Sequence, residues 1–140
     1  MFGPHLTLDL YGCNEDKISS PELVTEILDE LPELIDMHKI SEPQVIVYPG
    51  KPNSFDKGGI SSFVMIAESH ISLHTFIGYG FASVDIFSCK NFDAKKAEEY
   101  FIEKLGAKKA EKHIIMRGRE FPRDIPKTTK IVLKQRKNLV

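Results

Sequence analysis

The residues able to do chemistry gather between positions 68 and 89. Glu68-Ser69-His70-Ile71-Ser72-Leu73-His74-Thr75 is followed closely by Val84-Asp85-Ile86-Phe87-Ser88-Cys89. Their neighbours are apolar and β-prone, and a purely structural strand would carry Val, Thr or Tyr where the serine, histidines and cysteine stand. Three ordinary accounts compete. A lone histidine is usually a surface or core residue. Histidines four apart suit zinc when a helix carries them, but this stretch reads as a strand, on which His70 and His74 lie about 13 Å apart. A Ser-His-Asp hydrolase would use Ser69, His74 and Asp85, yet no G-x-S-x-G elbow surrounds Ser69. None of the three explains the whole segment.

The same residues, with Tyr79-Gly80-Phe81-Ala82-Ser83 between them, resemble the signature of the prokaryotic S-adenosylmethionine decarboxylases. That signature is E-S-H-[hydrophobic]-[ST]-[hydrophobic]-H-T-x-P-E, then A-x-V-D-x-F-x-C-G. The serine, second histidine and cysteine keep the family spacing of five and then fifteen residues. The likeness runs from His5 to about Gly118 and is densest from Ser61 to Cys89. It implies a proenzyme that cuts itself at Glu68-Ser69 into residues 1–68 and 69–140. The Ser69 hydroxyl attacks the Glu68 carbonyl, the amide becomes an ester, and elimination leaves a pyruvoyl group in place of Ser69. By resemblance His74 removes the Ser69 Cα proton, and Cys89 returns a proton to the substrate carbon once CO2 has left. An α-keto amide forming a Schiff base is the electron sink that decarboxylation needs, so neither an external cofactor nor a metal is implied. Phe55 matches a loop aromatic that lies against adenine, supplied in dimeric members by the neighbouring subunit.

Two departures bear on the substrate. Phe76 keeps the aromatic after His74-Thr75, but Ile77-Gly78 replaces Pro-Glu, and that glutamate binds ribose hydroxyls in the family. Lys90 replaces the glycine after the cysteine. Some relatives decarboxylate ornithine or arginine. Without the ribose anchor the expected substrate is therefore a basic amino acid, with Asp56 facing its distal cation and Phe55 and Phe76 against its aliphatic stem. S-adenosylmethionine, decarboxylated for spermidine synthesis, is the alternative. A third reading is an inactive homologue that regulates a true decarboxylase.

A chain of 140 residues, 41% hydrophobic and 28% charged, fits one ordinary globular domain. No apolar run exceeds Phe63 to Ala67, and the first residues lack the basic and apolar regions of a signal peptide. Two cysteines, Cys13 and Cys89, suit a reducing compartment, so the cytoplasm is expected. The net charge of −1 divides into −8 over residues 1–68 and +7 over 69–140. A basic half can signal nucleic acid, but lysines alternating with glutamates, without interleaved aromatics, argue instead for two complementary fragments that stay together.

Periodicity places the elements. Leu6, Leu8 and Leu10 alternate as a strand. Ser20 and Pro21 open a helix striped by Leu23, Ile27, Leu31 and Leu34 and running to about Met37, with Pro32 expected to kink or split it. Gln44–Tyr48 is a short strand, and residues 49–59 form a loop. Strands Ser61–Ala67, His70–Thr75 and Phe81–Phe87 follow, with Asp85 and Cys89 on one face of the last. Asp93 and Gly106 bound a helix striped by Ala97, Phe101 and Leu105. Lys112–Met116 is a last strand, and Lys130–Leu133 is expected to be extended within a loose tail. The order predicts an α+β fold, a two-layer sandwich whose antiparallel sheet has helices on one face. A second protomer stacked on the other face gives an αββα homodimer, as the resemblance implies.

Overall fold

The computed structural model of the chain describes residues 1–122 and 125–138. Six strands form one antiparallel sheet: β1 (Gly3–Tyr11), β2 (Gln44–Tyr48), β3 (Gly59–Ile66), β4 (Ser69–Phe76), β5 (Phe81–Ser88) and β6 (Lys109–Arg117), in spatial order β2-β3-β4-β5-β1-β6. The alternation read in β1 holds, and β3, β4 and β5 show it too. Leu6, Leu8, Leu10, Val64, Ile71, Leu73, Val84 and Ile86 turn to one face and are essentially inaccessible. Two helices cover that face, α2 (Pro21–Leu34) with Val24, Ile27, Leu28 and Leu31, and α3 (Ala94–Leu105) with Ala97, Phe101 and Leu105. Phe101 is fully buried between the layers; emptying its site with alanine costs about 3–5 kcal/mol. The two-layer α+β sandwich is as expected from the order of elements.

The helix ends follow from local chemistry. The Ser20 side chain accepts from the Leu23 N–H at 3.1 Å, and the Asp93 side chain accepts from the Lys96 N–H at 3.0 Å, each satisfying a donor that the helix itself leaves open. Gly106 closes α3 in the left-handed conformation. Two expectations need correction, and one element was not foreseen. Pro32 neither splits nor ends α2, because it stands in the last turn, where few further intrahelical bonds remain to be lost. A short helix, α1 (Glu15–Ile18), follows β1 behind an Asn14 cap and is too brief for periodicity to reveal. Lys130–Leu133 is not extended but lies within helix α4 (Ile125–Asn138). The straight-chain lysines around Ile131 and Val132 favour that helix.

The uncovered face of the sheet is mixed. Ile46, Phe63, Met65, Phe76 and Ile115 are exposed there, beside His5, His70, His74, Asp85 and half-buried Phe81 and Phe87.

Candidate active site

Strand β4 sets the geometry. Ile66 pairs with Ser69, so Ala67 and Glu68 form a two-residue hairpin turn between β3 and β4. The Glu68-Ser69 bond therefore lies where a turn enters a strand, with its carbonyl aimed at the segment that follows β5. The Cys89 N–H donates to the Glu68 oxygen at 2.9 Å. Ser69 has a φ of +155°, positive although it carries a Cβ. Backbone held in such a region costs on the order of 1–3 kcal/mol and persists only when its surroundings enforce it.

Those surroundings are unusually complete. Glu68 is only 8% exposed, and its carboxylate accepts from the His38 N–H at 2.8 Å and from the His38 ring Nδ1 at 3.0 Å. Burial by itself raises the carboxyl's pKa, but the two His38 hydrogen bonds and the charge they favour outweigh it, leaving Glu68 below the usual glutamate value. Cys89 is held from the opposite side. Ser88 is buried, and its hydroxyl accepts from the Lys90 N–H and donates to the Lys90 carbonyl, closing a tight turn around Cys89. Gly3 of β1 runs so close that a Cβ there would stand 2.0 Å from the Ser88 carbonyl oxygen. Only glycine lets β1 approach this loop.

His74 belongs to the other end of the strand. It sits on the uncovered face, its ring Nδ1 3.2 Å from the Ser61 hydroxyl on β3, directly across the ladder. Five residues of strand put it about 16 Å from Ser69. Within one protomer, then, Cys89 reaches the Glu68-Ser69 bond and His74 does not. Asp85 is no partner of His74 either: its Oδ1 takes a 2.8 Å bond from His5 Nε2. That pairing removes the hydrolase triad considered above.

Around His74 opens a cavity of about 380 Å³, lined by Tyr48, Phe55, Asp56, Lys57, Ser61, Phe76 and Tyr79 among others. Phe55 is 85% exposed and Phe76 43%. Asp56 lines the cavity, but it is already engaged. Its Oδ1 accepts from the Gly58 N–H at 3.2 Å, and the Tyr48 hydroxyl bonds to its side chain, which pushes the Tyr48 pKa up. Gly78 has φ +91°, and a Cβ there would stand 2.6 Å from Lys57 Cδ. The lysine stem thus fills the space in front of Gly78, with its ammonium 5.1 Å from the centre of the Tyr79 ring. Glu15 of α1 supports the turn from below, accepting from both the Gly78 and Gly80 N–H groups at 3.0 Å.

Ser61, His38, Lys57 and Glu15 were not singled out from the sequence. Ser61 alone left a trace there, as the polar member of the face it shares with Phe63 and Met65. The others act across gaps of 30, 21 and 63 positions that no local pattern encodes.

Fold and site together define a carboxy-lyase, a decarboxylase of the pyruvoyl-dependent class. Residues 4–118 match the S-adenosylmethionine decarboxylase family model, and the chain belongs to that family. An S-adenosylmethionine decarboxylase proenzyme of Clostridium botulinum (strain Loch Maree) is 37% identical over 118 residues, covering 84% of this chain and 95% of the relative. One from Archaeoglobus fulgidus is 32% identical over 117 residues, covering 83% and 97%. The crystal structure of the adenosylmethionine decarboxylase of Aquifex aeolicus superposes with a TM-score of 0.69 at 32% identity, over 84% of this chain and 91% of that one. The match to the family model stops before α4.

Proposed function

We propose that this chain is a self-processing S-adenosylmethionine decarboxylase whose active sites are shared between two protomers. The observation that carries it is the Glu68-Ser69 bond, set in a hairpin turn with Ser69 at positive φ and the Glu68 carbonyl on the Cys89 N–H. The Ser69 hydroxyl attacks that carbonyl; its oxygen bonds to the Glu68 carbon, the amide C–N bond breaks and the nitrogen takes the hydroxyl proton. The Cys89 N–H is a fixed donor to the oxygen on which charge develops, the usual means of lowering such a barrier. Loss of the Ser69 Cα proton then expels the Glu68 carboxylate from Cβ, and hydrolysis replaces the nitrogen with oxygen and releases ammonia.

The residues around Ser69 fit the pyruvoyl group that results. Once formed, it supplies the electron sink that takes up the pair released with CO2. The Cys89 thiol, on the loop that touches this bond, donates the proton to the substrate carbon. His74 is the base for the Ser69 Cα proton, and Ser61 fixes its ring. As His74 lies about 16 Å from its own Ser69, it serves the Ser69 of a second protomer. The exposed apolar residues of the open sheet face suit that packing. Two sheets face to face with opposed β4 strands bring the Ser69 end of each against the His74 cavity of the other.

The cavity supports the nucleoside over a basic amino acid. Phe55, Phe76 and Tyr79 offer aromatic faces, whereas Asp56 is occupied by Tyr48 and Gly58. Lys57 fills the space before Gly78, and its ammonium can donate to ribose hydroxyls in place of the missing glutamate. The relatives' printed substrate points the same way. One observation favours the amino acid reading: Gly78 offers no carboxylate to the ribose. Release of CO2 from S-adenosylmethionine, L-ornithine and L-arginine at equal, sub-saturating concentration decides between them.

A further inference from the structure

We propose that His38 is a positioning residue for self-cleavage: it clamps the side chain of Glu68 so that the backbone at Ser69 cannot relax before the hydroxyl attacks. The inference rests on reading Glu68-Ser69 as the bond that is cut.

A two-residue turn is short but not rigid. Rotation at Ala67 and Glu68 would swing the Glu68 carbonyl off the Cys89 N–H and release the positive φ of Ser69. Three bonds from one segment oppose that rotation. The Ala67 N–H donates to the His38 carbonyl at 2.7 Å, and the Glu68 carboxylate accepts from both the His38 N–H and its ring Nδ1. Lys39 also bridges to Ile66 at the start of the turn. The segment is itself tied to the Cys89 loop, because Lys90 Nζ donates to the Asp36 carbonyl at 2.7 Å and to its carboxylate at 2.8 Å. Asp36 holds φ +60° in doing so. Three loops, around residues 37, 68 and 89, are thereby locked round the one bond, and Lys90, which replaces the family's glycine, supplies the outer tie.

The exposures argue that this is positioning and not general support. Glu68 is buried although turns favour small, solvated residues, whereas the His38 side chain is 70% exposed. An exposed ring adds little to the core, so its removal leaves the fold in place. The hold on Glu68 is also needed only once. After the cut, Glu68 is a chain end and no longer bears on Ser69.

The test follows cleavage of freshly translated chain on gels, with intact mass for the products. His38→Ala should slow self-cleavage about tenfold or more, the loss expected for a hydrogen bond to a charged group. His38→Asn, which keeps a donor nitrogen on the same carbon, should restore most of the rate. Both variants should remain folded, with His38→Asn unfolding close to the wild-type temperature and His38→Ala only modestly below it. The cleaved fraction of His38→Ala should decarboxylate at the wild-type rate per cleaved chain, which a merely structural residue would not allow. If His38→Ala fails to fold, His38→Gln, with its nitrogen one bond further out, takes its place in the comparison. Cleavage of His38→Ala at the wild-type rate, or no rescue by asparagine, overturns the clamp. Wild-type chain that never cleaves overturns the scissile-bond reading, and the clamp falls with it.

Discussion

Ser69 and His74 stand on the same strand, β4, yet at opposite ends of it. Ser69 pairs with Ile66 and Ser88, while His74 pairs with Ser61 and Ser83. Their separation of about 16 Å is too great for proton transfer between them.

Complementation between chains follows directly. Ser69→Ala and His74→Ala should each be inactive alone, the first whole and the second stalled before elimination. Co-expressed, the His74→Ala chain should be cleaved by the His74 of its Ser69→Ala partner. Random pairing in a two-fold dimer leaves about one quarter of the sites intact, so activity near that fraction is expected. A mixture that stays uncleaved would falsify the shared site.

Cys89 separates processing from catalysis. Its bond to Glu68 is made by the backbone, so Cys89→Ala retains the donor and cleavage should continue. The thiol is lost, however, and loss of a positioned proton donor typically costs 10²–10⁴-fold in rate. Intact mass and CO2 release, measured on the same sample, read the two effects apart.

Ser61 should matter through His74 alone. Ser61→Ala removes one hydrogen bond, a net loss of about 0.5–1.5 kcal/mol, so elimination should slow by roughly two- to tenfold with folding unaffected. Slowing equal to that of His74→Ala would give Ser61 a larger part than orienting the ring.

For the substrate, Lys57 is the discriminating side chain. Lys57→Ala should raise KM for S-adenosylmethionine several-fold while leaving kcat little changed, the mark of a group that binds without taking part in the chemistry. If L-ornithine or L-arginine is the better substrate of the wild type, and Lys57→Ala improves it, the cavity has been assigned to the wrong ligand.

Glu68 carries a pH signature. Its folded pKa lies below the ordinary value of 4.5, since the His38 hydrogen bonds outweigh the burial that alone would raise it. The stability it contributes is therefore present above its unfolded pKa and is lost as pH falls through the lower folded value. In uncleavable Ser69→Ala chain, the stability gap between Glu68 and Glu68→Gln should hold near neutrality and close as acidification passes below the ordinary glutamate value. A gap that widened on acidification would reverse the assignment.

Much of the architecture was legible in the chain. Alternating leucines in β1, the stripe of α3 and the caps at Ser20, Asp93 and Gly106 are local, because each depends on neighbours within a turn or two of backbone. Glu68, Ser69, His74 and Cys89, on which the proposed chemistry rests, stand out as a motif, since spacing along the chain survives without coordinates. What the sequence could not decide is which of those residues meet. Strand register sets Ser61 against His74, and sheet order brings Cys89 to the Glu68 carbonyl. The extended rise of β4 carries His74 away from its own serine. Packing of α1 puts Glu15 under the Gly78 turn, and the loop after α2 carries His38 to Glu68. Those are long-range contacts, chosen by burial of the whole core rather than by any local run of residues, and they set His74 apart from the Ser69 of its own chain.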